Sequence, residues 1–285
     1  HAHSWIMSFP DEYTAFKKYA ELYPSACILL VDTYDTLKSG VPNAIRVFTE
    51  MREDGIPLSY YGVRLDSGDL SYLSKKVRQM LDAAGFTDAV ISASNDLDEY
   101  LIQNLKLQGA TITSWGVGTN LITSKDNPSF GGVYKMAAIE DEQGNMVPKI
   151  KISENSEKIT NPGSKEIYRI YDKDTGKIRA DLICLDGESF DESKDMTIFD
   201  PIEPWKKTRL AGDSYTMRQL LVPIFRQGKC IYESPSVMEI REICLREKET
   251  IWDETKRFVN PAEIHVDLSD KLYKLKEELL QRMSE

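Results

Sequence analysis

The sequence contains few residues of the kinds that build metal centres. Among 285 residues there are three histidines and four cysteines, and the cysteines lie far apart at positions 27, 184, 230 and 244. No two cysteines have the C-x-x-C spacing of a zinc ligand pair, so a structural zinc site is not expected. Isolated cysteines in apolar surroundings are typical of buried, reduced thiols, which we expect here.

Long apolar runs and a positive charge balance are also missing. The best apolar run, residues 27–31, is strand-sized, whereas a membrane span needs about 18 to 20 such residues. With no signal or transit sequence visible, the cytoplasm is the expected location. Lys and Arg number 36 against 46 Asp and Glu, a net charge of −10. Because nucleic acids and membrane surfaces are polyanions, neither is expected as a partner.

The remaining composition is that of a globular protein of two domains. Hydrophobic residues make up 41% and charged residues 29% of the chain. At about 150 residues per domain, the length predicts two domains. The texture of the sequence changes near Gly131, and we place the domains at residues 1–135 and 136–285.

The first domain repeats a helix, a short apolar strand and a polar loop. Apolar residues at helical spacing predict helices over 11–22, 42–51, 70–84 and 98–107. Strands are predicted over 27–31, 60–65, 89–92 and 112–117. These strands have too little polar alternation for a half-exposed sheet, which indicates parallel strands covered by helices. The alternation predicts an α/β fold, either a barrel or a doubly wound sheet.

Polar clusters follow each of the four predicted strands. They begin at Asp32, Arg64, Ser94 and Gly116, and successive clusters are about one βα unit apart. All four are therefore expected at the same rim, where the carboxyl ends of parallel strands meet. That rim is where α/β folds build active sites.

The second domain is expected to be α+β. Two antiparallel hairpins are predicted, one from 133–139 and 147–152 and one from 167–171 and 178–185, because turn residues separate the runs. Helices are predicted over 214–221, 236–258 and 269–282.

The segment Arg64–Asp69 is the densest polar cluster. Arg64 and Asp66 are two apart on one strand, so their side chains share a face. A guanidinium suits a phosphate or carboxylate, and a carboxylate suits ribose hydroxyls or a magnesium-bound water. The alternative is a structural Arg–Asp pair, with Ser67, Gly68 and Asp69 forming the turn before a helix.

Three further features have both a structural and a functional interpretation. The segment Gly116–Asn120 fits a tight turn or a loop whose amides approach an anion. The segment Ser94–Glu99 fits a capped helix start or part of a site. His3 fits a flexible chain end or a nucleophilic imidazole that accepts a phosphoryl group.

Taken together, these segments resemble the nicotinate phosphoribosyltransferase family. The matching stretches come in the family's order, at residues 2–9, 29–35, 62–70, 94–99, 116–119, 131–135 and 162–165. The resemblance implies part of an irregular (β/α) barrel of the type II phosphoribosyltransferase kind, followed by a smaller α+β domain with β-hairpins and C-terminal helices. It further implies formation of nicotinate mononucleotide and pyrophosphate from nicotinate and phosphoribosyl pyrophosphate, in NAD salvage. Coupled ATP hydrolysis, Mg²⁺ and a homodimer are implied as well.

The resemblance also implies residue roles. His3 would be the residue that ATP phosphorylates, Asp66 a catalytic residue that holds the phosphoribosyl group, and Asp32 the residue near pyrophosphate and magnesium. The residues implied to bind the phosphoribosyl group or nicotinate are Arg64, Ser67, Gly68, Asn95, Gly118 and Thr119.

Alternatives within this resemblance are a nicotinamide or quinolinate phosphoribosyltransferase and a non-catalytic fragment that retains the fold. The runs at 29–35 and 131–135 favour the nicotinate enzyme. Members of the family begin well upstream of the Ala-His-Ser motif. We therefore expect further barrel strands, and part of the hairpin domain, to be encoded before His3, and the chain by itself to be inactive.

Overall fold

The chain forms two compact units, His1–Gly131 and Gly132–Glu285. The computed structural model describes residues 1–129, 131–154, 158–203 and 205–283. Within these ranges, no helix is both long enough and apolar enough to cross a membrane. The boundary between the two units, at Gly131 and Gly132, coincides with the change in sequence pattern near Gly131.

The first unit alternates helices with parallel strands. Its helices are α1 (His3–Met7), α2 (Glu12–Leu22), α3 (Val41–Glu53), α4 (Leu70–Ala83), α5 (Glu99–Leu107) and α6 (Thr119–Ile122). Its strands are β1 (Cys27–Leu30), β2 (Tyr61–Leu65), β3 (Val90–Ala93) and β4 (Ser114–Trp115). The four strands pair in parallel in the order β1-β2-β3-β4. The four predicted helices and four predicted strands are thus confirmed, with their ends displaced by a few residues.

The local sequence explains these elements. Leu29, Val63 and Ile91, on successive strands, have no exposed surface, as expected for strands with helices packed against them. Three α-helices begin at an aspartate whose carboxylate accepts a backbone N–H of the first turn: Asp11 from Thr14 at 2.8 Å, Asp69 from Tyr72 at 2.9 Å and Asp98 from Leu101 at 2.7 Å. Such caps satisfy donors that the helix leaves unpaired.

A π-helical turn, Thr36–Gly40, connects the end of β1 to α3. The Asp35 carboxylate caps this turn and accepts the N–H groups of Leu37 at 3.1 Å and Lys38 at 2.9 Å. A Cβ atom on Gly40 would lie 1.9 Å from the carbonyl oxygen of Val31. Only glycine therefore fits where the turn crosses the end of β1, directly before Asp32. Such turns are frequent at functional sites.

The second unit is built on a mixed six-stranded sheet. The strands of the whole unit are β5 (Ala138–Glu140), β6 (Met146–Pro148), β7 (Lys165–Asp172), β8 (Ile178–Leu185), β9 (Met196–Phe199), β10 (Lys207–Leu210), β11 (Tyr215–Gln219), β12 (Phe225–Arg226), β13 (Lys229–Cys230) and β14 (His265–Leu268). Its helices are α7 (Val237–Glu249) and α8 (Asp270–Arg282). The large sheet has the order β10-β9-β14-β8-β7-β11, and two small hairpins, β5-β6 and β12-β13, stand apart from it.

Both predicted hairpins are confirmed, as β5-β6 and β7-β8. Alternate residues of β8 are buried, which is the pattern of a strand with one covered face. The apolar cluster of this unit centres on Ile170, Leu182, Ile198 and Tyr215.

Two expectations for the second unit were wrong, and several of its strands were not predicted. Residues 214–221 were predicted to be helical, but they contain strand β11, which pairs antiparallel with β7. The side chains of Tyr215 and Met217 pack in the apolar cluster, so the relevant period is two and not 3.6. The helix predicted over 236–258 ends at Glu249. Strands β9, β10, β12, β13 and β14 were not predicted.

The cysteine prediction holds only in part. All four thiols are free, and Cys27 and Cys184 are buried as expected, but Cys230 and Cys244 are exposed. Cys230 lies in the two-residue strand β13, and Cys244 lies on α7, a helix on which no residue is buried. An apolar sequence neighbourhood therefore did not imply burial in this part of the chain.

Candidate active site

Three strands of the first unit end side by side. Leu30 pairs with Arg64, and Leu65 pairs with Ala93, so β1, β2 and β3 stop at nearly the same level. The residues just beyond these ends are Asp32, Asp66 and Ser94, from three of the four predicted polar clusters. Parallel pairing thus brings together side chains that are about 30 residues apart in sequence.

Asp32 is the buried centre of this group. Its side chain is 2% exposed. Its Oδ2 atom accepts the backbone N–H of Asp66 at 2.8 Å and the hydroxyl of Ser67 at 2.7 Å. Its Oδ1 atom is buried and accepts no hydrogen bond among the described residues. Asp32 therefore fixes the loop that follows β2, and one of its oxygens remains for a further donor.

Asp66 is the more open carboxylate, with its side chain 36% exposed. The hydroxyl of Ser94 donates a hydrogen bond to Asp66 Oδ1. The second oxygen, Oδ2, lies 3.7 Å from Nε2 of His3. One oxygen of Asp66 is thus held by the protein while the other faces the imidazole and solvent.

His3 opens helix α1 and lies against both carboxylates. Its Nε2 atom is 3.9 Å from Asp32 Oδ1, and its Nδ1 atom is 3.1 Å from the hydroxyl oxygen of Thr33. Two carboxylates facing Nε2 favour a proton on that nitrogen. In the tautomer with its proton on Nε2, the lone pair of Nδ1 accepts a hydrogen bond from the Thr33 hydroxyl. With 40% of the His3 side chain exposed, a ligand can reach the ring.

Arg64 lies on β2, two residues before Asp66 in the chain. Its Nη2 atom donates to the carbonyl of His1 at 2.8 Å, and its Nε atom is buried with no hydrogen-bond partner in the described part of the chain. Among the described residues no ion pair joins Arg64 to Asp66, so the structural Arg–Asp pair considered above is not formed. A half-buried guanidinium with an unused donor is suited to an anionic ligand.

The segment Ser67–Asp69 divides into two parts. Asp69 caps α4, as the structural interpretation predicts, whereas Ser67 turns back to Asp32. Gly68 between them has φ +78, a backbone conformation that favours glycine. The tight bend allows one segment to serve both a helix and the site.

The turn after β3 has an unusual backbone. Asn95 and Asp96 have φ values of 91 and 41, in the left-handed region that non-glycine residues rarely adopt. The Asn95 side chain is exposed. Gly118 and Thr119, also exposed, begin α6 at the end of β4. These three predicted ligand-binding residues lie at the same sheet edge, but none has a hydrogen bond to His3, Asp32 or Asp66 among the described residues.

Sequence reasoning passed over three polar residues of this edge. Thr33 contacts His3, Ser94 holds Asp66, and Asn120 donates to the carbonyls of Asp96 and Leu97. Each belongs to a polar segment that follows a predicted strand. Their position in the sequence could have identified them as site residues, because each follows the end of a strand by a few residues.

The same residues bear on metal binding and on thiol chemistry. Among the described residues, no group of three or more His, Cys, Asp or Glu side chains is arranged to hold a metal ion. Mg²⁺, however, usually binds through one or two carboxylates together with phosphates and water. The open oxygen of Asp66 and the unpaired Oδ1 of Asp32 fit such a donor set. Burial raises the pKa of the Cys27 thiol to about 12, which excludes it as a thiolate nucleophile at neutral pH.

The fold has counterparts among solved structures. The human Nicotinic Acid Phosphoribosyltransferase superposes with a TM-score of 0.69 at 26% identity, over 95% of this chain and 50% of that one. Nicotinate-nucleotide pyrophosphorylase from Pyrococcus furiosus superposes with a TM-score of 0.56 at 19% identity, over 88% of this chain and 54% of that one, a likeness that shows the fold alone. The chain is thus part of a type II phosphoribosyltransferase fold, with its polar cluster at the sheet edge, and the predicted partial (β/α) barrel with a second α+β unit is confirmed.

Sequence comparison shows which family within the type II phosphoribosyltransferase fold the chain resembles. The family Nicotinate phosphoribosyltransferase C-terminal domain matches residues 164–276. Nicotinate phosphoribosyltransferase of Bacillus subtilis is 47% identical over all of this chain and 56% of its own length. The proteins of that name from Dictyostelium discoideum and Homo sapiens are 35% and 32% identical, over 92% and 93% of this chain. The chain belongs to the nicotinate phosphoribosyltransferase family, and it spans about half the length of these curated relatives.

Proposed function

We propose that the protein containing this chain transfers the phosphoribosyl group of phosphoribosyl pyrophosphate to nicotinate. The products are nicotinate mononucleotide and pyrophosphate, so the reaction would serve NAD salvage. The observation that carries the proposal is the joint placement of His3, Asp32 and Asp66 at the ends of parallel strands. It is supported by relatives of the same name at 32 to 47% identity.

The geometry suits this chemistry. The nicotinate ring nitrogen attacks C1 of the ribose while the bond from C1 to the pyrophosphate oxygen breaks, so positive charge develops on the sugar. Asp66, open on one side, can hold the ribose and face that charge, and Arg64 has an unused donor for a phosphate or carboxylate. The nucleophile needs no general base, because the ring nitrogen already carries a lone pair.

The other predicted ligand contacts belong to the same proposal. Ser67 and Gly68 would border the ribose beside Asp66, and Asn95 would approach it from the turn after β3. The backbone N–H groups of Gly118 and Thr119 would donate to the 5-phosphate. Their support is their position at the sheet edge, together with the exposure of Gly118, Thr119 and Asn95.

We further propose that ATP phosphorylates His3. In that step the Thr33 hydroxyl releases Nδ1, and the Nδ1 lone pair forms a bond to the γ-phosphorus as the bond from phosphorus to the ADP oxygen breaks. Asp32 and Asp66 beside Nε2 would stabilise the positive charge that develops on the imidazole. The phosphoryl group adds about two negative charges close to two carboxylates. Water later removes it as inorganic phosphate, which couples ATP hydrolysis to the transfer.

Magnesium belongs to the proposal as well. Asp32 would hold the ion through its unpaired Oδ1, with the open oxygen of Asp66 beside it. When bound, Mg²⁺ neutralises the leaving pyrophosphate. A homodimer and a cytoplasmic location remain predictions.

A product assay tests the transfer. The full-length gene product is incubated with phosphoribosyl pyrophosphate, ATP and Mg²⁺, with nicotinate, nicotinamide and quinolinate as competing acceptors. We expect nicotinate mononucleotide as the product. A preference for nicotinamide or quinolinate would replace the proposed enzyme by one of the two related transferases. Binding of phosphoribosyl pyrophosphate without any product would favour a non-catalytic protein.

A further inference from the structure

The side chain of Asn120 joins two turns at the carboxyl-terminal edge of the first sheet. Asn120 is the second residue of α6, just after the predicted phosphate-binding residues Gly118 and Thr119. Its side-chain amide donates to the carbonyl oxygens of Asp96 at 3.1 Å and Leu97 at 3.0 Å. Both amide hydrogens are used, and they tie the turn after β4 to the turn after β3.

The turn that Asn120 holds is under backbone strain. Asn95 and Asp96 are consecutive non-glycine residues at positive φ. Such a conformation persists only where the surroundings impose it, and strain of this kind concentrates at functional sites. The two hydrogen bonds from Asn120 reach the carbonyl of the strained residue Asp96 and that of the next residue, Leu97, so they are placed to stabilise this conformation.

The other end of the same turn reaches the catalytic carboxylate. The backbone N–H of Ser94 donates to the carbonyl of Leu65 at 3.0 Å, and its hydroxyl donates to Asp66 Oδ1. The remaining oxygen of Asp66 then faces His3 at 3.7 Å. The position of the Ser94 backbone therefore decides how the Asp66 carboxylate is rotated.

We propose that Asn120 is a positioning residue for phosphoribosyl transfer. It keeps residues 94–97 in the conformation from which Ser94 orients Asp66, and it acts through Ser94 without contacting the reacting atoms. Because Asn120 follows Gly118 and Thr119 directly, an anion bound at that turn is coupled to the carboxylate that faces His3. This inference rests on the proposed function.

The test is a double-mutant cycle in the full-length gene product. Asn120→Asp keeps the shape of the side chain but removes both donors, and Ser94→Ala removes the bond to Asp66. We expect Asn120→Asp to lower kcat about tenfold, the scale of two lost hydrogen bonds, with the KM for nicotinate unchanged. In the Ser94→Ala background the same change should lower kcat less than about twofold, since coupled residues are not additive. Asn104→Asp, on the exposed surface of α5, is the matched control and should behave as wild type.

Additive effects of the two substitutions, or an Asn120→Asp enzyme with wild-type kcat, would overturn the positioning role. If Asn120→Asp does not fold, Asn120→Ala is judged by the same two outcomes. A wild-type protein that forms no nicotinate mononucleotide refutes the proposed function by itself. Hydrogen exchange then decides the remaining claim: the amides of residues 94–98 should exchange about tenfold faster in Asn120→Asp than in Asn104→Asp. Equal exchange rates would show that Asn120 does not hold the turn.

Discussion

The Asp32 carboxylate accepts the backbone N–H of Asp66 at 2.8 Å, so a buried acid at the end of β1 sets the position of a more open acid at the end of β2. This contact divides the roles of the two residues. Asp32 has one oxygen committed to the loop, whereas Asp66 keeps one oxygen facing His3 and solvent. Each role leads to a different expected effect of substitution.

Replacing Asp66 should remove catalysis and leave the fold intact. We expect Asp66→Ala in the full-length protein to lower turnover at least about 100-fold, the scale of one lost positioned charge. Its thermal melting temperature should change little, because the side chain is partly exposed. Steady-state kinetics and circular dichroism provide the two measurements. Asp54→Ala, an exposed aspartate after α3, is the control and should keep wild-type kinetics. A folded Asp66→Ala enzyme with unchanged kinetics would remove Asp66 from the site.

Replacing Asp32 should instead weaken the loop that it holds. Asp32→Ala leaves the Asp66 N–H and the Ser67 hydroxyl without their acceptor, which should cost about 1–3 kcal/mol of unfolding free energy. Urea denaturation measures this loss. Asp35→Ala likewise removes two hydrogen bonds, here both from backbone N–H groups, but the Asp35 carboxylate is 46% exposed and water can replace it, so a smaller loss is expected. Equal losses for the two variants would contradict the buried role of Asp32.

Phosphorylation of His3 can be detected directly. Incubation of the full-length protein with γ-labelled ATP should give an acid-labile, base-stable phosphoprotein, as expected for a phosphoramidate bond. His3→Ala should abolish the label but retain some ATP-independent transfer, since displacement at the ribose needs no phosphohistidine. His265→Ala, at the start of β14 in the second unit, serves as the histidine control. Label that persists in His3→Ala would exclude His3 as the acceptor.

Gly40 should tolerate no side chain. A Cβ atom would lie 1.9 Å from the Val31 carbonyl oxygen, a backbone atom that cannot move without displacing the end of β1. We expect Gly40→Ala to lower the unfolding free energy by about 3 kcal/mol or more, or to prevent folding. Gly131→Ala, where a Cβ atom meets nothing within 4 Å, should be close to neutral. A stable Gly40→Ala protein would mean that the turn and the strand end do not touch.

Asp267 should make the second unit less stable as the pH rises. Its side chain is buried, and burial raises its pKa above the usual value; His265 opposes this rise and Asp200 adds to it. A neutral carboxyl group is not destabilised by burial, whereas an ionised one is. When folding raises the pKa of an acid, the unfolding free energy therefore falls as the pH rises through the pKa of the unfolded state and then that of the folded state. Asp267→Asn should therefore melt at a higher temperature than wild type at pH 8, and the difference should vanish near pH 4.

The control for this pH dependence is Asp253→Asn, whose side chain is 93% exposed. It should melt as wild type does at both pH values. A difference between Asp267→Asn and wild type that is as large at low pH as at high pH would show that the charge of Asp267 is not the cause.

Much of the site was predictable because its parts follow local patterns. The strands that end before Asp32, Asp66 and Ser94 are short apolar runs, and parallel pairing fixes which of their ends meet. The caps at Asp69 and Asp98 are likewise properties of a few neighbouring residues. The polar contacts between these segments were not predictable. Nothing in the sequence states that Ser94 bonds to Asp66, or that Asn120 reaches Asp96, because such contacts depend on side-chain directions in the folded chain.

The second unit shows most clearly which elements the local sequence determines and which depend on the tertiary structure. Its hairpin β7-β8 joins neighbouring runs across a short turn, so the sequence alone determines it. Strand β14 pairs with β8 and β9, which lie far from it in sequence. Residues 215–219 form strand β11 because they pair with the free edge of β7. Pairing at such distance depends on burial and on free backbone groups of a partner strand, which exist only once the tertiary structure has formed. The sequence determined the family, the α/β repeat and the rim of polar residues, and the tertiary structure decided which of those residues touch.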